Sequence, residues 1–132
     1  MHSLSQEISV QPSVLAATYT SAGNGSVVDT LGFNTLVAIV TAGAIDLTST
    51  DETYTVKLQE GAAANLSDAA DITGATVTIT AANQQKKIAL NDLGSSARKR
   101  YIRAVITPAG TTPSIAVAVP IVLARGFNNP QS

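Results

Sequence analysis

The sequence predicts an all-β protein, an antiparallel β-sandwich or jelly-roll-like single domain, and three observations lead to this fold class. Short runs rich in Val, Ile and Thr recur along the 132 residues, separated by Gly, Asn, Asp, Pro and Ser, a pattern typical of many short strands. No segment has the helical pattern and length that a crossover helix between parallel strands requires. The length suits one domain and allows a hydrophobic core without disulfide support.

Seven or eight strands are expected, among them those at 13–20, 33–42, 54–59, 72–80, 86–90, 100–107 and 114–124. The clearest alternation lies at 54–59, where Tyr54, Val56 and Leu58 share one face and polar residues share the other. The strand at 100–107 alternates in the same way. The alanine-rich segment 61–70 is too short and too weakly patterned for a stable helix, so we expect a loop or one helical turn.

These boundaries divide the chain into three parts. Residues 1–12 form a predicted N-terminal arm, residues 13–124 the sandwich, and residues 125–132 a C-terminal tail. Both terminal segments are expected to be flexible, as chain ends commonly are.

The low charge of the chain indicates a protein that packs against other proteins. Charged residues make up 13% of the sequence, about half the usual share of a soluble domain. A surface of Ser, Thr, Asn, Gln and Ala loses little hydration energy when a partner covers it. The net charge of −1 offers no general field for nucleic acid or for an anionic membrane. No signal-peptide pattern or membrane-spanning stretch is present, so synthesis in a cytoplasm is expected.

No residue pattern indicates catalysis, a cofactor or a metal ion. The sole histidine, His2, lies in a terminus where its geometry would not be fixed, and the chain has no cysteine. Asp68 and Asp71 lie in a predicted loop and leave a weak cation site open as an alternative, but they lack the spacing of a calcium loop. We therefore expect a non-enzymatic protein.

Arg98, Lys99 and Arg100 form the one run of basic residues, with Arg103 close behind. The run is a candidate contact for an acidic protein surface or, less favourably, for nucleic acid. A charged edge strand that discourages aggregation is the structural alternative.

The last strand is apolar on both faces, which a strand with one wet face would not be. Either both faces lie inside the sandwich or one face meets a neighbouring subunit. The candidate subunit interface consists of Ile115, Val117, Val119, Ile121 and Leu123. Pro120 cannot donate a hydrogen bond to a neighbouring strand, so we expect it at a sheet edge or a bulge.

The order of these features resembles the capsid decoration (cement) proteins of tailed bacteriophages. The resemblance covers roughly residues 14–124, and its most specific parts are V-K-L-Q-E at 56–60 and K-R-Y-I-R-A-V at 99–105. A Gly-Asn-Gly turn at 23–25 leads towards the apolar strand at 33–42, and a Gly/Thr/Pro turn precedes the last strand. The resemblance implies a β-sandwich subunit, usually a homotrimer, on the outer surface of a phage head, where it bridges subunits of the major capsid protein.

In that setting Ile8 and Val10 of the arm, together with Arg98, Lys99 and Arg100, are the candidate capsid contacts. The alternation of Ile8 and Val10 could add a strand to the edge of a capsid sheet. Two alternatives remain: another virion component, such as a spike base or tail subunit, and a carbohydrate-binding module. The second is disfavoured because it would need exposed aromatic side chains, and the chain has only three Tyr, two Phe and no Trp.

Overall fold

A computed structural model describes residues 7–125, and within that range the chain forms nine strands. They are β1 (Ile8–Tyr19), β2 (Gly23–Asn24), β3 (Val28–Asp29), β4 (Thr35–Ile45), β5 (Thr53–Gly61), β6 (Ala70–Ile79), β7 (Gln85–Leu90), β8 (Tyr101–Ala109) and β9 (Ile115–Ala124). His2, residues 1–6 of the predicted arm and residues 126–132 of the predicted tail lie outside the described residues.

The strands form two antiparallel sheets that enclose one core. Sheet A has the strand order β1-β9-β4-β7. Sheet B has the order β2-β8-β5-β6, and β3 also pairs with β8. The inner faces of both sheets supply the buried cluster, with Leu36 and Val119 from sheet A facing residues such as Val56 and Ile106 from sheet B. The predicted all-β antiparallel sandwich is confirmed.

The strand alternation predicted from the sequence places the core correctly in sheet B. Tyr54, Val56 and Leu58 of β5 are fully buried, while the residues between them are half-buried on the outer side. In β8, Ile102 and Ala104 are buried in the same way. The hydroxyl of Tyr54 donates to the carbonyl of Asp46 and accepts from the Ser114 amide, so this buried ring keeps its polar end satisfied.

The first strand begins earlier than the sequence indicated. Residues 8–12, assigned to the arm, form the first part of β1 and pair with the end of β9, from Ile8 opposite Ala124 to Pro12 opposite Pro120. The predicted strand started at residue 13. The alternation of Ile8 and Val10 is therefore used within the chain's own sheet, whereas the sequence suggested pairing with another protein.

Pro120 lies in a central strand, since β9 is flanked by β1 and β4. Of the two positions expected for it, a sheet edge or a bulge, the structure shows the second. The register between β1 and β9 shifts directly after Pro12. On the other side, the pairs between β4 and β9 stop at Ala38 opposite Ile121 and resume at Thr41 opposite Ala118. A proline has no N–H to donate, which accounts for an interrupted ladder at this point.

Ser13 joins the two sheets at the first register shift between β1 and β9. Its buried hydroxyl donates to the Ser26 carbonyl at 2.9 Å and accepts from the Ala104 amide of β8 at 2.8 Å. Gly25 lies against this junction and donates its amide to the Ala104 carbonyl at 2.7 Å. A Cβ atom at Gly25 would lie 2.7 Å from that carbonyl oxygen, so the close approach requires glycine.

Candidate functional site

The outer face of sheet A is mainly apolar: β1, β9 and β4 contribute mostly aliphatic side chains, and β7 contributes Ala89 beside the polar Gln85 and Lys87. The register aligns Val10 of β1, Val122 of β9, Val37 of β4 and Ala89 of β7 in one row across the sheet. Val10 is 61% exposed, and Val37 and Val122 are half-buried by one another and by their neighbours. This row places an unbroken line of aliphatic side chains on the surface of the protein.

The neighbouring rows continue the same character. Their members are Ile8, Ala124 and Thr35 on one side, and Pro12, Pro120, Ile39, Lys87, Ala118, Thr41 and Gln85 on the other. Lys87 is the one charged residue among these paired positions, and it lies on the edge strand β7. Two shallow grooves cross the face, one beside Val37 and Ile39 and the other between Ala116 and Thr41. We refer to these rows together as the apolar face.

The outer face of sheet B is polar and internally paired. Lys57 of β5 forms a salt bridge with Asp71 of β6 at 3.0 Å. Gln59 donates to the same carboxylate at 2.9 Å and accepts from the Arg103 guanidinium at 3.0 Å. Hydrogen bonds from Gln59 and Lys57 lower the pKa of Asp71, because they favour its charged form.

The final strand contributes to the apolar face through different residues from those predicted. Ile115, Val117, Val119, Ile121 and Leu123, the predicted subunit interface, are all buried in the chain's own core. That prediction was wrong because the larger side chains of the strand point inwards. The outward positions are Ala116, Ala118, Pro120, Val122 and Ala124, all half-buried.

Most of the apolar face was missed in the sequence, although a signal for it was present. Residues 36–40 of β4 are apolar at consecutive positions, as are those of β9, and these two strands lie next to each other in the centre of sheet A. Two adjacent strands without alternation indicate a sheet with two apolar faces. The strand order is what brings them together, and the sequence did not predict it.

The basic run lies in the loop that leads into β8, and its two arginines are held by the chain itself. Arg98 donates to Glu60 at 3.1 Å and to both carboxylate oxygens of Asp92, and only 14% of its side chain is exposed. These bonds, those to Asp92 first, raise the pKa of Arg98. Lys99 is exposed. The edge-strand interpretation was wrong, since β8 has neighbours on both sides.

Arg100 forms a two-point ion pair with Asp29, with distances of 2.8 and 2.7 Å from its guanidinium nitrogens. Hydrogen bonding from Arg100, followed by the Leu31 amide, lowers the pKa of Asp29 to about 2. The guanidinium also lies 4.9 Å from the centre of the Tyr101 ring, a distance at which a cation and an aromatic face attract. The basic run therefore consists of two paired arginines and an exposed lysine.

No group of three or more His, Asp or Glu side chains within residues 7–125 could hold a metal ion. Of the two acids that left a cation site open, Asp68 accepts from the amides of Ala62 and Ala63. Asp71 is occupied by Lys57 and Gln59. Both carboxylates thus have protein partners in the fold.

Comparison with known proteins supports the fold. No protein-family model matches the chain, and no curated protein matches it. Among solved structures, the chain is similar to the SPBc2 prophage-derived protein YomS, with a TM-score of 0.52 and 10% sequence identity. The match covers 88% of this chain and 93% of that chain. In the part of the chain that the structure describes, no helix is long and apolar enough to cross a membrane.

Proposed function

We propose that this chain is a structural protein of a phage particle that decorates the outer surface of the head. In this role it binds the major capsid protein, bridges neighbouring capsid subunits and associates with further copies of itself, as a trimer in the arrangement that the resemblance implies. The protein carries out no reaction and needs no cofactor, nucleic acid or membrane.

The observation that carries the proposal is the apolar face, a broad surface with a single charged side chain among its paired positions. Soluble proteins rarely expose apolar patches of this extent unless another protein covers them. Two further points support the phage setting. The fold is similar to that of a prophage-derived protein over most of both chains, and the motifs at 56–60 and 99–105 resemble those of decoration proteins.

The proposed capsid contacts take a more specific form in the fold. Ile8 and Val10 lie in β1 at the margin of the apolar face, and their backbone is paired with β9 on one side. The other side of β1, at the edge of sheet A, is the proposed contact for a capsid strand. Lys99 and Arg100 are both exposed, but Arg100, like Arg98, is engaged with a carboxylate. Lys99 is therefore the residue of that run best suited to bind an acidic surface of the capsid.

The copy number of the protein in purified particles tests the proposal. Quantitative mass spectrometry against the major capsid protein should give hundreds of copies per particle, since each decoration site recurs over the lattice. A few copies per particle would instead indicate a spike base or tail subunit. Absence from the particles would overturn the virion proposal, and binding to a glycan array would then favour a carbohydrate-binding module.

Capsid binding can be tested separately with particles that lack the protein. The Lys99→Glu variant should bind such heads several-fold more weakly, because a charge reversal at the rim of an interface repels an acidic partner. Lys57→Glu makes the same charge change on the outer face of sheet B, outside the proposed contacts, and serves as the control. Equal binding by the Lys99→Glu variant and the wild type would remove Lys99 from the proposed contact.

A further inference from the structure

The apolar face lies on the outside of the sandwich, and the chain between residues 7 and 125 does not cover it. Val10 is 61% exposed, and Val37, Ile39 and Val122 are half-buried only by their neighbours in the same sheet. We propose that a second copy of this chain covers the apolar face. The inference rests on the self-association part of the proposed function and is independent of the virion. It predicts a two-fold pair of copies in place of the trimer that the resemblance implies.

The edges of the sheets are poorly suited to association within the described range. β1 carries two register shifts and Pro12 along its length. β7 has six residues, among them Lys86 and Lys87, and charged residues on an edge strand oppose pairing with another strand. On sheet B, β2 has two residues, and the pairing of β5 with β6 is irregular after Lys57. These features leave a sheet face as the better surface for contact between copies.

The composition of the face favours a copy of the chain over a different protein. A surface that stays exposed until it meets another protein is about as polar as the rest of a protein surface, whereas homodimer interfaces are more apolar. The central rows contain Val, Ile, Ala, Pro and Thr, with no acidic residue among the paired positions. Exposed in solution, such a face would promote non-specific association, and a second copy present from synthesis onwards prevents this.

The size of the face is sufficient for a stable contact. Four strands about 4.8 Å apart, with up to ten residues at about 3.4 Å along each, span roughly 600 Å². Two copies that cover each other would bury about 1,200 Å² in total, which reaches the range of specific interfaces. The small side chains of β9, including Ala116 and Ala118, allow a facing sheet to approach closely.

The position of Lys87 favours one arrangement of two facing copies. When a two-fold axis runs along the strands, β7 of one copy lies over β1 of the other, and the two Lys87 side chains are on opposite sides of the contact. When the axis runs across the strands, β7 lies over β7, and the lysines face each other with a repulsive charge. The first arrangement keeps the charge of Lys87 at the polar rim and the valine row at the centre.

Analytical ultracentrifugation of the purified chain tests this inference without particles or capsid protein. The wild type at micromolar concentration should sediment as an oligomer, and Val37→Lys should shift it to the monomer, because a lysine at the centre of the contact is left buried and unpaired. Thr55→Lys is the matched control, since Thr55 occupies a half-buried outer position in the middle of β5 in sheet B. That variant should sediment like the wild type.

A milder substitution distinguishes loss of association from loss of folding. Val37→Thr keeps the branched shape and strand propensity, and it should weaken the association several-fold while the circular dichroism spectrum stays unchanged. A wild type that is monomeric at micromolar concentration would overturn the inference. So would an oligomer that survives both substitutions of Val37, or one that Thr55→Lys disrupts equally. Because capsid protein is absent, failure here leaves the virion proposal standing, and absence from particles would leave this inference standing.

Discussion

The two outer faces of the sandwich have opposite chemistry although the inner faces are alike. Sheet A presents Val10, Val37 and Val122 in one continuous row. Sheet B presents Lys57 and Asp71 joined by a salt bridge, together with other polar side chains that bond to one another. Burial of the core requires only one apolar face from each sheet. The second apolar face of sheet A is therefore not explained by folding of the single chain, and the association proposed above accounts for it.

The two outer faces also differ in the cost of removing water from them. On sheet B the polar side chains pair among themselves, as Gln59 does with both Asp71 and Arg103. A partner protein would have to displace or accommodate these pairs, which makes this face costly to desolvate. The aliphatic rows of sheet A carry no comparable network, so covering them releases water at little cost.

The largest expected effect is a difference in the free energy of unfolding between substitutions on the two sides of β9. Ile121→Ala should lower the free energy of unfolding by about 2–5 kcal/mol, because it opens a cavity in the core. Val122→Ala, one residue away and on the apolar face, should lower the stability of the monomer by less than about 1 kcal/mol. Urea denaturation of the dilute proteins measures both. Equal losses would mean that the assignment of the two sides is wrong.

The next largest loss of stability is expected at the junction between the two sheets, beside Ser13. Gly25→Ala should destabilise the protein by about 1–3 kcal/mol, since the added methyl group crowds Ser13 and the Ala104 carbonyl. Gly43→Ala is the control on sheet A, where the nearest atom to the added Cβ lies 3.6 Å away. Thermal denaturation should show a lower midpoint for Gly25→Ala only. A Gly25→Ala variant as stable as the wild type would contradict the close packing at this junction.

An effect of similar size is expected from the ion pairs beside β8. Arg98→Met should cost about 1–3 kcal/mol of stability, because it leaves the Glu60 carboxylate, 15% exposed, without its guanidinium. Lys57→Met removes the exposed pair on sheet B and should cost less than about 1 kcal/mol. Chemical denaturation of both variants at one salt concentration compares the two pairs. A larger loss for Lys57→Met would contradict the structural role assigned to Arg98.

The smallest expected effect is a loss of stability at acidic pH. Asp29 has its pKa lowered from 3.8 to about 2 by Arg100, so its contribution to stability is present above pH 4 and is lost as the pH falls towards 2. The wild type should therefore lose stability more steeply between these values than Asp29→Asn, which cannot titrate there. Denaturation at a series of pH values measures the two slopes. Parallel slopes would show that the pair with Arg100 does not stabilise the charged carboxylate.

The sequence was most informative for strands that have one face exposed to solvent. In β5 and β8 the alternation of residues such as Val56 and Ile106 identified the buried face correctly, because polar and apolar positions differ there. In β9 both faces are apolar, so periodicity could not show which side faces the core. The larger side chains, including Ile121, were assigned to the subunit interface and lie inside.

The rest of the fold depends on partners that are distant in the sequence. β1 extends back to Ile8 because β9 provides a pairing edge over its whole length, which local composition does not show. β2 and β3 have two residues each and are defined by their bonds to β8. The apolar face exists because β9 and β4 are adjacent, and strand order was not predictable from the residues. The exposed fraction of Lys99 and the pairing of Arg98 likewise depend on tertiary structure.

The central claim is that the two outer faces differ in function, with sheet A covered in the assembled protein and sheet B open to water. Carbene labelling followed by peptide mass spectrometry measures this most directly, on the wild type at high concentration and after dilution. We expect the β4 peptide containing Val37 and Ile39 to be labelled several-fold less at high concentration, while the β5 peptide containing Thr55 and Lys57 is labelled equally in both. Equal labelling of the β4 peptide at both concentrations, or protection of the β5 peptide instead, would contradict the account.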